Sequence, residues 1–115
     1  MGDKAKEHEA AYHLLLEPKE VPVAASALRL FGSDEAHQPR IHELAHEVLA
    51  ALEGVPDAEG VLTVPLSAEQ LKVTYSAIKL LFNDMQRGQA EERETLRAIL
   101  DKLPDEHSIR AISLD

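Results

Sequence analysis

The sequence predicts a helix-rich α+β domain in which two β-α-α units lie in a pseudo-twofold arrangement, with two short strands and four main helices. Three observations predict this fold. Four stretches carry apolar residues at three-and-four spacing, which is typical of amphipathic helices. Two short aliphatic stretches precede the two helix pairs, and the second half of the chain repeats the first after a shift of fifty positions.

The length of the chain, 115 residues, is enough for one domain and too short for two ordinary ones, so we predict a single domain over residues 1–115. Residues 1–9 are charged and are predicted to form a flexible arm. The first β-α-α unit is predicted to span residues 10–54, and the second to span residues 61–104. Residues 105–115 follow a proline and are predicted to form a C-terminal short helix or tail.

The first unit begins with Tyr12–Leu16, a short apolar run that is either a strand or the end of a helix starting near Lys4. Periodicity alone does not choose between the two, because the run is too short. The helix that follows is rich in small and aliphatic residues, and it is predicted to stop at Gly32 with a left-handed cap. Pro39 then opens a second amphipathic helix, which ends near Gly54.

The second unit begins after a predicted turn at Asp57–Gly60. Val61–Leu66 has the β-branched content of a strand, and Pro65 confines it to an edge of a sheet or places the proline at a strand end. Ser67 and Gln70 form a capping-box pattern, which predicts the start of the third helix. The apolar positions of the third helix are Leu71, Val73, Tyr75, Ile78, Leu81, Phe82 and Met85, and those of the fourth are Leu96, Ile99, Leu100 and Leu103.

The repeat is strongest in the helix after each strand, where both halves carry the block Ser-Ala-(Leu/Ile)-(Arg/Lys)-Leu. We interpret it as a tandem duplication, although two amphipathic β-α-α stretches also align passably when the register is chosen afterwards. Duplication favours a strand at Tyr12–Leu16, because its counterpart is strand-like. The identical pairs are Leu16 and Leu66, Val23 and Val73, Ser26 and Ser76, Ala27 and Ala77, Leu30 and Leu80, and Asp34 and Asp84.

Composition excludes several classes of function. The formal charge of −9, with only two Tyr, two Phe and no Trp, argues against a nucleic-acid partner, which needs clustered cations and stacking rings. The absence of cysteine excludes disulfides, thiolate nucleophiles and cysteine-ligated zinc or iron–sulfur sites. No stretch reaches the roughly 20 apolar residues of a membrane helix, and the charged start lacks the apolar core of a secretion signal. We therefore expect no membrane partner and a cytoplasmic location.

The pattern His42-Glu43-Leu44-Ala45-His46 lies in the second predicted helix and matches the H-E-x-x-H pattern of zincin metallopeptidases. Histidines four residues apart lie on one helix face and can share a zinc ion, while the glutamate activates the zinc-bound water. The resemblance implies zinc as cofactor, His42 and His46 as metal ligands and Glu43 as the catalytic base. Candidates for a third ligand are Glu91, Glu92 and Glu94, and His37 is a further histidine nearby.

The repeat favours a surface role for the same histidines. After a one-residue insertion, His42 and His46 align with Arg93 and Arg97, which do not bind zinc. At about 100° per residue, both histidines also lie on the shoulder of the apolar stripe, where polar residues are expected. We therefore predict no catalytic, cofactor-binding or metal-ligating residue, and keep the zinc site as the alternative.

These inferences favour a non-enzymatic, small acidic protein-interaction or regulatory module. Its predicted partner is another protein or a second copy of the chain, because a lone pair of strands leaves an edge that a homodimer can cover. The alternative is a minimal zinc-dependent hydrolase or a zinc-binding sensor that uses His42, Glu43 and His46.

Overall fold

The computed structural model describes residues 12–33, 39–85, 89–104 and 109. These residues contain four helices and one two-stranded antiparallel sheet, so the helix-rich α+β class is confirmed. In chain order the elements are β1 (Tyr12–Leu16), α1 (Glu20–Gly32), α2 (Pro39–Ala51), β2 (Leu62–Leu66), α3 (Ala68–Asp84) and α4 (Ala90–Lys102).

Several predicted features lie outside the described residues. They are the arm at residues 1–9, His37, and the C-terminal short helix or tail at residues 105–115 apart from Ile109. The side chain of Ile109 is buried and belongs to the hydrophobic core. At least this residue of the C-terminal segment therefore packs on the domain.

The sheet confirms the prediction of a strand at Tyr12–Leu16. β1 and β2 pair antiparallel, and Leu14 lies opposite Val64 at the centre of the register. Side chains alternate along each strand, so one face of the sheet is buried and the other is open to solvent. Pro65 is tolerated because each strand of a two-stranded sheet is an edge. The exposed face carries His13, Leu15, Thr63 and Pro65.

The helices cover the buried face of the sheet and pack on one another. α1 contacts α2, α3 and α4, while α3 also contacts α2 and α4. α2 packs beside β2, and α4 packs beside β1. No helix in the described part of the chain is both long and apolar enough to cross a membrane. The largest fully buried apolar side chains are those of Leu14, Leu16, Leu28, Leu44, Leu66, Ile78, Leu96 and Ile99.

The start of α3 has the predicted capping box. The Gln70 backbone N–H donates to Ser67 Oγ at 3.2 Å, and the Ser67 backbone N–H donates to Gln70 Oε1 at 2.9 Å. α1 starts with one half of the same motif, since the Glu17 backbone N–H donates to Glu20 Oε1 at 2.7 Å. Both helices therefore begin with a side chain that folds back on the preceding backbone, which satisfies a donor that the helix leaves unpaired.

The predicted left-handed cap at Gly32 is wrong. Gly32 lies inside α1, and the only described glycine with positive φ is Gly60. A Cβ atom at residue 32 would lie 3.3 Å from the Cβ atom of Ala45 on α2. Gly32 therefore serves the close approach of α1 and α2, and the helix ends at Ser33 with ordinary right-handed backbone.

The turn at Asp57–Gly60 is confirmed. The Asp57 carboxylate accepts from the backbone N–H groups of Glu59 and Val61, and the Gly60 N–H donates to the Asp57 carbonyl at 2.9 Å. Gly60 has a φ of +87°, which side chains rarely adopt, and a Cβ there would lie 3.0 Å from Pro18 Cγ. This glycine lets the turn close against the residues that precede α1.

We expect Gly60→Ala to lower the free energy of unfolding by about 1–2 kcal/mol, because the methyl group is strained at positive φ and meets the Pro18 ring. Urea denaturation followed by circular dichroism measures the change. Glu59→Ala is the control, because only the backbone of Glu59 joins the turn. A cost for Gly60→Ala no larger than that of the control would contradict this account.

Candidate functional site

The residues of the H-E-x-x-H pattern lie on the outer surface of α2. His42 is half-buried, whereas Glu43 and His46 are exposed. The three side chains line a shallow depression of about 600 Å³, together with Glu47 on the same helix. Gly32 of α1 and Ala50 of α2 complete the lining. The two histidines thus share one helix face, as their spacing predicts.

The Glu43 carboxylate lies in a surface ion-pair chain. Arg40 Nη1 is 3.5 Å from Glu43 Oε2, and Arg40 Nη2 donates to Glu69 Oε1 at 2.8 Å. The hydrogen bond from Arg40 to Glu69, with the charge of Glu69 and the weaker bond to Glu43, raises the pKa of the arginine. Gln70 Nε2 donates to Glu47 Oε1 at 2.9 Å on the same side of the helix. These contacts tie α2 to the start of α3.

The downstream glutamates that could complete a zinc site are not brought to the histidines. Glu91, Glu92 and Glu94 are exposed at the start of α4, a helix that packs on α3, α1 and β1. Within the described ranges, no group of three or more His, Asp or Glu side chains is arranged to hold a metal ion. The pattern therefore supplies two neighbouring imidazoles and no third ligand from these ranges.

A second depression, between α3 and α4, was not predicted from the sequence. Its volume is about 510 Å³, and the Phe82 ring lies in its wall with the Arg93 guanidinium 4.2 Å from the ring centroid. Such a cation over an aromatic face is favourable. The lining residues are Tyr75, Lys79, Phe82, Arg97, Leu100, Asp101, Leu103 and Pro104.

A third depression, of about 300 Å³, adjoins the second on the outer side of α3. The two adjoin at Tyr75 and Lys79, which line both, and together we call them the α3 groove. Leu80 is 48% exposed in this part of the groove. The other lining residues of the third depression are Lys72, Ser76, Asn83 and Ile109.

The α3 groove reverses the charge balance of the chain. The whole chain has 12 basic and 21 acidic residues, whereas the described residues that line the groove include three basic residues and one acidic residue, Asp101. Lys79 and Arg97 form no ion pair with the residues that the structure describes. One sequence signal was available: Lys72 and Lys79 are seven residues apart and therefore lie on one face of a helix.

The most buried charge belongs to Glu20, whose side chain is fully enclosed at the start of α1. Its Oε1 atom accepts from Lys102 Nζ as well as from the Glu17 backbone, while Oε2 has no hydrogen-bond partner among the described residues. Lys102 Nζ also donates to the Leu15 carbonyl at 3.0 Å, and the Tyr12 hydroxyl donates to the Lys102 carbonyl. This cluster joins β1, α1 and α4 around the buried Glu20 carboxylate, which indicates a structural role.

No family model, curated protein or solved structure matches the chain.

Proposed function

We propose that this chain is a non-enzymatic, small acidic protein-interaction or regulatory module of the cytoplasm. The observation that carries the proposal is the α3 groove, which is lined by apolar side chains and by two cations, Lys79 and Arg97, that form no ion pair with described residues. Apolar anchoring sites with charged rims are typical of surfaces that bind other proteins. The groove is open to solvent, as a docking surface must be.

The arrangement of the polar side chains supports a role without catalysis. Glu43, the only candidate base of the H-E-x-x-H pattern, points into a surface ion pair with Arg40. Three serines among the described residues have local backbone roles or face solvent. Ser33 Oγ donates to the Leu30 carbonyl at 3.0 Å, Ser67 caps α3, and Ser26 is exposed. None of these contacts pairs a nucleophile with a base.

We also propose that the domain is built from two related units about a pseudo-twofold axis. The residue limits of β1 and β2 differ by fifty, and those of α2 and α4 differ by 51 at both ends. The strand register pairs Leu14 with its repeat partner Val64. The contacts of α2 with β2 and of α4 with β1 exchange under the same operation. The matching backbone-to-side-chain bonds of Glu17 to Glu20 and of Ser67 to Gln70 add support.

The pseudo-twofold relation also connects the depression that contains the histidines with the depression between α3 and α4. The depression on α2 is lined by Gly32, His46 and Ala50, which match Phe82, Arg97 and Asp101 of the depression on α4. The two depressions are therefore sister surfaces. The one on α2 lacks the ring and the guanidinium groups, and His46 stands where its sister carries a cation.

The test of the proposed function is whether a purified partner forms a stoichiometric complex with the full chain. Cross-linking in a native lysate identifies candidates, and each candidate is then purified and mixed with the chain. Size-exclusion chromatography with light scattering should show a complex of defined mass, with no change in the covalent structure of the partner. Failure of every purified candidate to form such a complex would contradict the proposal.

A zinc-dependent hydrolase or zinc sensor is the second candidate, and the shared depression of His42, Glu43 and His46 favours it. We expect the purified protein to carry far less than one zinc ion per chain, because two imidazoles alone make a weak site. Elemental analysis and zinc titration measure this. Stoichiometric zinc that is lost in His46→Ala would establish a site, and peptidase activity lost in Glu43→Gln with zinc retained would establish hydrolysis.

Self-association through the sheet is a further proposal, and the exposed side chain of Leu15 favours it. The strand edges themselves are less suited to pairing. Lys102 Nζ already binds the Leu15 carbonyl, and Pro65 has no N–H group to donate. Light scattering of the purified chain decides this point, since a homodimer doubles the mass.

A further inference from the structure

We propose that the α3 groove binds an acidic amphipathic segment of a partner protein. This inference rests on the proposed function and names the chemistry of the partner. The segment would place aliphatic or aromatic side chains on the floor between α3 and α4, and carboxylates against Lys79 and Arg97.

The charges of the groove carry the first step of the argument. In a chain with nearly twice as many acidic as basic residues, a surface whose described charged residues are mainly basic stands out. Arg40 pairs with Glu69, and Lys102 pairs with Glu20. Lys79 and Arg97 line the same depression and remain unpaired with described residues. Carboxylates of a ligand would form ion pairs with both side chains. Complementary charge also raises the association rate and favours the matching partner.

The apolar part of the groove carries the second step. Tyr75, Phe82 and Leu100 are half-buried and line the depression between α3 and α4, where they could accept a ligand's apolar side chain. Leu80 extends the apolar surface across α3. The two depressions meet at Tyr75 and Lys79, so the groove extends across the outer side of α3. An amphipathic helix with apolar anchors on one face and carboxylates on the other fits such a surface better than a compact small molecule does.

The symmetry of association argues for a different protein instead of a second copy. In a twofold homodimer through this groove, a surface whose described charges are three cations and one acid would face itself, and the excess of positive charge would disfavour the contact. A head-to-tail contact with an acidic surface of another copy would build a ring or a filament instead of a closed pair. A separate acidic partner avoids both problems.

The experiment uses the full chain and a labelled helical peptide with Leu and Phe on one face and Glu on the other. Fluorescence anisotropy should show saturable binding that weakens as salt is raised. The double variant Lys79→Glu/Arg97→Glu should weaken binding by about tenfold or more, because both rim contacts become repulsive. Circular dichroism checks that the variant folds, and Lys79→Ala/Arg97→Ala gives a milder version of the same test.

The repeat supplies a matched control. Arg29 and His46 occupy the sister positions of Lys79 and Arg97 and are exposed. Arg29→Glu/His46→Glu places two carboxylates on the sister surface and should leave peptide binding within about twofold of the unchanged chain. Two further peptides separate charge from apolar anchoring: one with Lys in place of Glu, and one with Ser in place of Leu and Phe. Both should bind at least about tenfold more weakly.

Three results would overturn the inference: no peptide binding, equal losses in both double variants, or equal binding of the Ser peptide, which would mean unspecific attraction to charge. The proposed function is judged separately with its purified partner. If Lys79→Glu/Arg97→Glu leaves a native complex intact, the groove is not the binding site, and the proposed function still stands. If the peptide binds but no native complex forms, the proposed function is contradicted, and the groove assignment still stands.

Discussion

Replacing Lys102 with Leu should lower the free energy of unfolding by about 3 kcal/mol, since it leaves the buried Glu20 carboxylate without a cation. The Glu20 side chain is fully buried and that of Lys102 is 33% exposed. Because water reaches part of the lysine side chain, we expect a loss of unfolding free energy at the lower end of the range for broken buried ion pairs. Urea denaturation followed by far-ultraviolet circular dichroism measures the change.

The double variant Glu20→Gln/Lys102→Leu is the control, and it should be more stable than Lys102→Leu alone. A glutamine at residue 20 can still accept from the Glu17 backbone, as Gln70 accepts from Ser67 in the second unit. The glutamine carries no charge, so no unpaired charge is buried in the double variant. We therefore expect its free energy of unfolding to lie within about 1 kcal/mol of that of the unchanged chain. A double variant less stable than the single one would show that the charge pair is not the source of the loss.

Truncation of either Leu28 or Ile78 to Ala should cost about 3 kcal/mol of unfolding free energy. Both side chains are fully buried, and both occupy the same place in the repeated block of their helices. If the two units are related, each substitution opens a similar cavity in a similar environment. The same denaturation measurement compares the two variants directly.

Leu30→Ala and Leu80→Ala are the matched controls, because these side chains are 62% and 48% exposed two residues further along. We expect each to change stability by less than about 0.5 kcal/mol. Leu80→Ala should also weaken peptide binding, since Leu80 lines the α3 groove. A large cost for only one of Leu28 and Ile78 would count against equivalent environments in the two units.

Local patterns predicted the elements of this fold well. The periodicity of apolar residues placed all four helices, and Ser67 with Gln70 marked the start of α3. Strand Tyr12–Leu16 needed the repeat, because a largely apolar run of five residues fits a strand or a helix equally. The left-handed cap predicted at Gly32 was wrong. A glycine at a helix end usually forms such a cap, whereas here the decisive contact is with Ala45 on another helix.

Contacts between residues far apart in the chain could not be predicted from the sequence. Glu20 follows Glu17, Pro18 and Lys19 and looks like one more surface charge, while its cation lies 82 residues away. The α3 groove has the same origin, because it forms only when α4 packs beside α3. The signal that could have helped was the alignment of Glu20 with Gln70, a capping residue, which predicts that its side chain turns back toward the backbone.

The position of Lys102 has a consequence for the chain as it leaves the ribosome. Tyr12, Leu15 and Glu20 all take their partner from that single residue near the end of α4. At about 5–20 residues per second, the 82 residues between Glu20 and Lys102 take roughly 4–16 s to synthesise. Throughout that interval the first unit lacks the cation of Glu20 and the core contributed by α4, so we expect its native packing to form only after α4 has been synthesised.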